Sequence, residues 1–196
     1  PSSLSLTKDS GMNPVTPTVQ GGDVDSWEIH PTLPTGLSID SSTGTISGTP
    51  AGTSPISSYT VYANNTGGSA TAVLTIEILE APPSSITYVP GSFTLTKGTP
   101  LGAVTPTALG DPVDIWSISP TLPLGLVFDT TNGELSGTPT VVSPLTTYTV
   151  TATNNGGSGT VTITIQVNDV APSSISYTPN FLSLIHISEP TRQLAI

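Results

Sequence analysis

Acidic side chains beside two Ala-Pro linkers are the residues of this chain best suited to hold a metal ion. Glu80 precedes the first linker, Asp114 follows it, and Asp169 precedes the second. A calcium ion needs about six to eight oxygen ligands at roughly 2.3–2.6 Å, so several acids would have to converge on one junction. The sequence makes Glu80, Asp114 and Asp169 candidate calcium ligands, together with Asp25. Solvated acids beside turns are the alternative.

The sequence contains no comparable set of residues for catalysis. The chain has no cysteine, and His30 has no second histidine near it and forms no recognisable catalytic motif with a serine. Nucleophilic catalysis needs a nucleophile, a base and a group that orients the base. We therefore expect no enzymatic activity in this fragment and no required cofactor, with calcium as the one candidate ion.

The two tryptophans, Trp27 and Trp116, could either stack on sugar rings or fill a core. Trp27 alternates with Glu28 and shares a face with Ile29, the period of two that a half-buried strand shows. A buried aromatic side chain adds about 150–250 Å² of buried surface to a small core. We therefore predict that both indoles lie in cores.

An internal repeat sets the positions of all these residues. The segment from Trp27 to Pro50 recurs from Trp116 to Pro139, and the same offset of 89 positions superimposes the chain without a gap from Pro1 onwards. A fixed period of this length marks repeated folding units. We predict repeat 1 at residues 1–81 with its first strand truncated, repeat 2 at residues 82–170, the start of a third repeat at residues 171–181, and a non-native tail at residues 182–196.

Each repeat reads as a series of short strands. Apolar and polar residues alternate, and Gly, Pro, Thr and Ser dominate over helix-forming residues. We predict about seven strands per repeat in an antiparallel β-sandwich, including a strand at residues 15–19 that Pro17 confines to an edge or a bulge. Asp40 and Asp129 open turns that Gly44 and Gly133 close with a positive φ.

Composition excludes several classes of partner. The net charge is −10 with only three Lys and Arg residues, which leaves no basic surface for nucleic acid or anionic membranes. No run of about 18 apolar residues predicts membrane insertion in this fragment. The chain begins inside a repeat, so we expect any secretion signal to lie upstream.

The repeated pattern resembles a family of immunoglobulin-like (Ig-like) domains in bacterial surface and secreted proteins. The motifs are Trp-x-Ile-x-Pro-x-Leu-Pro-x-Gly-Leu, then Gly-x-(Ile/Leu)-Ser-Gly-Thr-Pro, then Tyr-Thr-Val, and they cover essentially residues 1–181. The resemblance implies an all-β fold of tandem Ig-like, cadherin-like sandwiches in an extracellular or cell-surface protein. Residues 167–172 are similar to the calcium-holding linker of cadherin repeats, although the first linker departs from that pattern. Residues 182–196 resemble a translated sequencing adapter.

Three functions remain open at this point. The first is a structural spacer, a stalk of Ig-like repeats that displays an adhesive or catalytic domain carried elsewhere in a larger bacterial protein. The second is an adhesion or binding module for a glycan or a surface protein, with calcium at the junction as a candidate aid. The third is an accessory domain of a polysaccharide-degrading enzyme. The partners implied are the neighbouring repeats, and a glycan or surface protein under the second hypothesis.

Overall fold

The computed structural model describes residues 3–177, and these residues form strands and loops. The predicted tail at residues 182–196 and the last four residues of the predicted third repeat lie outside the described residues. The strands are β1 Ser3–Thr7, β2 Ser26–His30, β3 Leu37–Ile39, β4 Ile46–Gly48, β5 Ser54–Asn65, β6 Gly68–Leu79, β7 Ser84–Thr87, β8 Ser92–Thr96, β9 Leu101–Val104, β10 Thr107–Leu109, β11 Ile115–Ser119, β12 Leu126–Phe128, β13 Leu135–Gly137, β14 Ser143–Asn154 and β15 Gly157–Asn168.

Each repeat contains one large sheet and smaller sheets. Repeat 1 has a four-stranded sheet in the order β1-β6-β5-β2 and a two-stranded sheet of β3 and β4. Repeat 2 has the equivalent sheet β11-β14-β15-β8, a three-stranded sheet β12-β13-β9, and the pair β10-β7. The prediction of an all-β fold of tandem Ig-like repeats is confirmed.

One strand pair in each large sheet is parallel, which the antiparallel prediction did not anticipate. β1 runs parallel to β6, and β8 runs parallel to β15, while the remaining named pairs are antiparallel. Alternation of apolar residues reports which face of a strand is buried, and it carries no information on strand direction. Long connections separate the members of each parallel pair, as parallel pairing requires.

The strand predicted at residues 15–19 is wrong for repeat 1. Only Val15 makes a bridge there, to Ile46, and the following residues lie outside any strand. In repeat 2 the equivalent stretch does contain a short strand, β10, which pairs with β7. Within the described residues, repeat 1 has no counterpart of β7, so this stretch has no partner strand.

Two apolar clusters form the cores. The residues that point inward from the long hairpins include Tyr59, Ile76 and their equivalents Tyr148 and Ile165, and all four are buried. Cluster one is Leu33, Leu37, Ile46, Tyr59, Leu74, Ile76 and Ile78. Cluster two is Ile86, Tyr88, Phe93, Trp116, Leu126, Leu135, Tyr148, Val150, Ala152, Ile163, Ile165 and Val167.

The predicted turns form as expected. One carboxylate oxygen of Asp40 accepts the backbone N–H groups of Ser42 and Thr43 at 2.8 and 3.0 Å, and the Ser42 hydroxyl at 2.6 Å. These hydrogen bonds, led by that from the Ser42 side chain, lower the pKa of Asp40. Asp129 makes the same bonds to Thr131. The local role predicted for both acids is confirmed.

Candidate functional site: the junction between the repeats

The linker backbone at Ala81 is held from two sides by repeat 2. The Ala81 N–H donates to the Asp111 carboxylate at 2.9 Å, and the Ala81 carbonyl accepts from the Asn154 side-chain amide at 2.9 Å. The preceding Glu80 N–H donates to the side-chain oxygen of Asn155 at 3.0 Å. Because three backbone groups of this short stretch bind repeat 2, the linker is held against that repeat.

A salt bridge joins repeat 1 directly to the same carboxylate. Lys8, at the end of β1, donates from Nζ to the second Asp111 oxygen at 2.6 Å. The Asp111 side chain is only 15% exposed and that of Lys8 27% exposed, so water screens the pair less than a pair on an open surface. Asp111 is therefore shared by the linker and by both repeats.

Lys8 and Asp111 each shift the pKa of the other. The hydrogen bond from Lys8, with a second from the Ala81 amide, holds the pKa of Asp111 below its usual value. The hydrogen bond to Asp111 raises the pKa of Lys8, and the nearby Asp9 carboxylate, 3.7 Å away, adds to this effect. Both groups are charged near neutral pH, which keeps the link intact there.

Asn154 is the buried polar residue that completes the site. It is 5% exposed, its amide nitrogen also approaches the Pro112 carbonyl at 3.4 Å, and its oxygen accepts the Gly156 N–H at 3.0 Å. A buried amide that lost these partners would carry a desolvation cost. The side chain therefore ties the hairpin between β14 and β15 to the linker and to the Asp111 loop.

The predicted calcium candidates are not brought together. Glu80 lies in the linker, and the exposed Asp114 contributes its backbone N–H to the Thr153 carbonyl. Asp169 follows β15, at the opposite end of repeat 2, and its carboxylate accepts the Val170 N–H. Over residues 3–177 no group of three or more His, Cys, Asp or Glu side chains could hold a metal ion. Calcium binding stays a prediction.

Asp111 was missed by reasoning from the sequence, although a signal was present. The equivalent residue in repeat 1 is Gly22, so the two copies differ here in the loop nearest the linker. Lys8 is one of only three cationic residues in the chain. A loop acid without an equivalent, together with a rare cation, indicates a contact specific to one junction. Sequence alone cannot show that two side chains 103 positions apart come within 2.6 Å of each other.

Both tryptophans are buried, as predicted, and Trp116 belongs to the core cluster of repeat 2. Trp27 is 8% and Trp116 5% exposed, which leaves neither indole face free for a sugar. His30 lies on the surface near Glu28, at 3.7 Å, and contacts the Tyr62 ring edge-on with the ring centroids 5.7 Å apart. The described part of the chain contains no helix that is long and apolar enough to cross a membrane.

Comparison with known proteins agrees with this architecture. The family model "Putative Ig domain" matches residues 1–79 and 82–168. The Serine-rich adhesin for platelets of Staphylococcus aureus is 31% identical over 172 residues, which is 87% of this chain and 7% of that protein. The corresponding protein of strain MRSA252 is 31% identical and is covered over 12% of its length. This chain thus spans a small part of its curated relatives.

A solved structure shows the same fold. Extracellular domains 3–5 of Drosophila OTK superpose with a TM-score of 0.57 at 22% identity, over 85% of this chain and 59% of that one. At this identity the likeness extends to the fold alone. Two family-model matches in register with the internal repeat therefore place the chain in the family described as "Putative Ig domain", of which it carries two tandem copies.

Proposed function

We propose that the chain is a rigid spacer, a stalk segment in a larger surface or secreted bacterial protein. The observation that carries this proposal is the Asp111 carboxylate, which binds Lys8 of repeat 1 and the Ala81 amide of the linker at once. Repeats joined by a flexible linker would change their relative orientation freely. A linker held on both sides favours one orientation and so transmits length and direction along the chain.

The surface supports a spacer over a binding module. A glycan-binding module needs an exposed aromatic cluster, and the tryptophans, which are the strongest stacking residues, are buried. The large apolar side chains exposed on the described residues of both repeats are mostly single aliphatic groups such as Ile56, Val127 and Leu145. Scattered exposed aliphatic residues are normal for a monomer.

Adhesion is the second candidate, and the named relatives favour it. They are adhesins for platelets, and this chain aligns with a small part of them. A short part of a long adhesin can either contact the ligand or hold the contacting part away from the surface. An extracellular location, and a glycan or protein ligand, belong to this proposal. The junction geometry favours the supporting role.

A measurement of the distance between the two repeats tests the spacer proposal. The chain has no cysteine, so spin labels can be placed at single introduced cysteines. Ser38→Cys in β3 and Val127→Cys in β12 are exposed and occupy equivalent positions in the two repeats. Double electron–electron resonance should give one narrow distance distribution for the labelled chain. Asp111→Asn should broaden it, because the salt bridge to Lys8 is lost.

Asp114→Asn is the matched control. It removes the same charge three positions away, from an exposed side chain whose residue contributes only its backbone N–H to the junction loop. Its distribution should equal that of the labelled parent. A broad distribution in the parent, or equal broadening by both substitutions, would reject the rigid junction and leave adhesion without a spacer role as the better proposal.

A further inference from the structure

A strand near the start of each repeat pairs in parallel with the last strand of that repeat. In repeat 2, β8 pairs with β15 in a register that runs from Ser92 beside Thr164 to Thr96 beside Asn168. In repeat 1, β1 pairs with β6 in the same register, 89 positions earlier. The other named strand pairs of the described residues are antiparallel. One parallel pair therefore recurs at the same place in both repeats.

Tension along the chain loads this pair lengthwise. The chain enters β8 at Ser92 and leaves β15 at Asn168, and both strands run in the same direction. β15 begins at the hairpin that contacts the linker and ends at the opposite end of repeat 2. A pull on the two ends of repeat 2 therefore draws β8 back toward the linker and β15 away from it. The force acts along the strands and across their hydrogen bonds, which share it because they are evenly spaced.

Hydrogen bonds extend the pair beyond both ends of β8. Before β8 begins, the Gly91 carbonyl accepts the Thr164 N–H at 3.1 Å. After β8 ends, the Lys97 N–H donates to the Asn168 carbonyl at 2.9 Å. The Thr164 hydroxyl also donates to the Ser92 hydroxyl at 2.8 Å. The ladder between the two strands therefore covers residues 91–97 on the side of β8.

Buried side chains fix the register of the pair. Phe93 of β8 is 3% exposed, and its partner Ile165 is fully buried. The next inward pair is Leu95 with Val167, and all four side chains belong to the core cluster of repeat 2 or pack against it. A slip of one residue turns every side chain of a strand to the opposite face. The strands therefore cannot slide past each other without removing these side chains from the core.

We propose that this parallel pair is a mechanical clamp, which carries tension along the chain and sets the force at which each repeat unfolds. The clamp goes beyond the spacer proposal, which concerns orientation, and rests on it only for the source of the load. Forced unfolding is governed by the barrier to unfolding. Moving β8 along β15 breaks the ladder and extracts Phe93 from the core in the same step, and this raises the barrier.

Pulling the same fold in two directions tests the clamp. The sequence has no cysteine, so handles for single-molecule pulling attach at introduced pairs. Gly91→Cys with Asn168→Cys loads the pair lengthwise. Thr96→Cys with Asn168→Cys loads it from one end, because these two residues are partners and the bonds then break in turn. All three positions are exposed, and the nearest non-neighbouring atom to a Cβ at residue 91 is the Tyr88 carbonyl oxygen at 3.9 Å.

The two directions should give different unfolding forces in optical tweezers. Lengthwise loading should require a force at least about twofold higher than loading from one end, because evenly spaced bonds share the load. Urea unfolding of the two cysteine variants should coincide, so that direction and not stability causes the difference. Equal unfolding forces in the two directions overturn the proposal. Both attachment pairs lie in repeat 2, so neither result bears on the Asp111 junction, which a distance between the repeats reports.

Proline substitutions locate the clamp on β8. Lys97→Pro removes the N–H that binds the Asn168 carbonyl and should lower the lengthwise unfolding force. Thr94→Pro is the matched control. Hydrogen bonds alternate along a parallel strand, so the ladder bonds at residues 91 and 97 place the Thr94 N–H on the outer edge of the sheet, where proline is tolerated. Its unfolding force should equal that of the parent. A loss of the same size in both variants, or no loss in either, overturns the proposal.

Discussion

Over residues 3–177 the two repeats differ on the side where repeat 2 has β7, because no equivalent strand is present in repeat 1. Val150 and Ala152 of repeat 2 are fully buried, while Val61 and Ala63 are half-buried. Trp116 belongs to the core cluster of repeat 2, whereas the cluster of repeat 1 does not include Trp27. The strand that follows the first linker, β7, is therefore part of the core of repeat 2.

The loops that hold the linker in repeat 2 also differ from their equivalents in repeat 1. Asp111 and Asn154 of repeat 2 hold Ala81, whereas repeat 1 has Gly22 in place of the acid and an exposed Asn65 in place of the buried amide. Asn65 still accepts the Gly67 N–H and donates to the Asp23 carbonyl at 2.8 Å, as its equivalent does in repeat 2. The loops of repeat 1 thus have the same local arrangement as those of repeat 2, and in the part of the chain that the structure describes they contact no linker.

The largest expected loss of stability comes from substituting the turn glycine that both repeats share. Gly44 and Gly133 have φ of 71° and 73°, and a Cβ atom would come within 2.5 Å of Trp27 or 2.8 Å of Trp116. Alanine at either position should cost about 2–5 kcal/mol, through left-handed backbone strain and overpacking against the indole. Urea unfolding followed by fluorescence of the one tryptophan in each repeat measures it. A large loss in only one repeat would contradict the shared geometry.

A Val-to-Ala substitution in the core should have a smaller effect on stability, and this effect should differ between the two repeats. Val150→Ala should cost about 2 kcal/mol because the fully buried methyl groups leave a cavity. Val61→Ala should cost about half as much, because the Val61 side chain is only half-buried and lines an open depression of repeat 1. The same unfolding measurement at low protein concentration applies. Equal losses would mean that Val61 is packed as tightly in solution as Val150 and would remove the difference described above.

Acid should act on the junction through Asp111. Its folded-state pKa lies below the ordinary value of 3.8, so the stabilisation is present above about pH 4 and is lost as the pH falls through the folded pKa. The labelled distance between Ser38→Cys and Val127→Cys should therefore broaden in acid. Asp40 and Asp129 also have lowered pKa values, but each lies within one repeat. In the Asp111→Asn chain the distance should already be broad and should change little with pH.

Calcium should have the smallest effect. Glu80 and Asp114 lie near the junction and Asp169 at the other end of repeat 2, so we expect addition of millimolar calcium to leave Tm within about one degree. An ion bound only to the folded state would raise its stability. A clear rise in Tm that Asp114→Asn or Glu80→Gln abolishes would restore the calcium hypothesis.

Much of the fold follows from local residue chemistry, and that is why it could be predicted. The 89-residue offset, the Asp40 and Asp129 turns and the inward tryptophans each depend on residues close in sequence. The Lys8–Asp111 pair and the parallel pairing of β1 with β6 join residues far apart, and no spacing pattern reports them. The strand predicted at residues 15–19 failed because its existence depends on a partner strand.

The most direct test of the account is to give repeat 1 the strand that repeat 2 has. Adding Ser-Ser-Ile-Thr-Tyr-Val, the sequence of residues 84–89, in front of Pro1 should move the Trp27 unfolding transition to higher urea and leave the Trp116 transition unchanged. An extension with Asp at the Ile and Tyr positions should leave the Trp27 transition unchanged. If the full extension leaves the Trp27 transition where it was, the strand after the linker is not part of the repeat, and the account is contradicted.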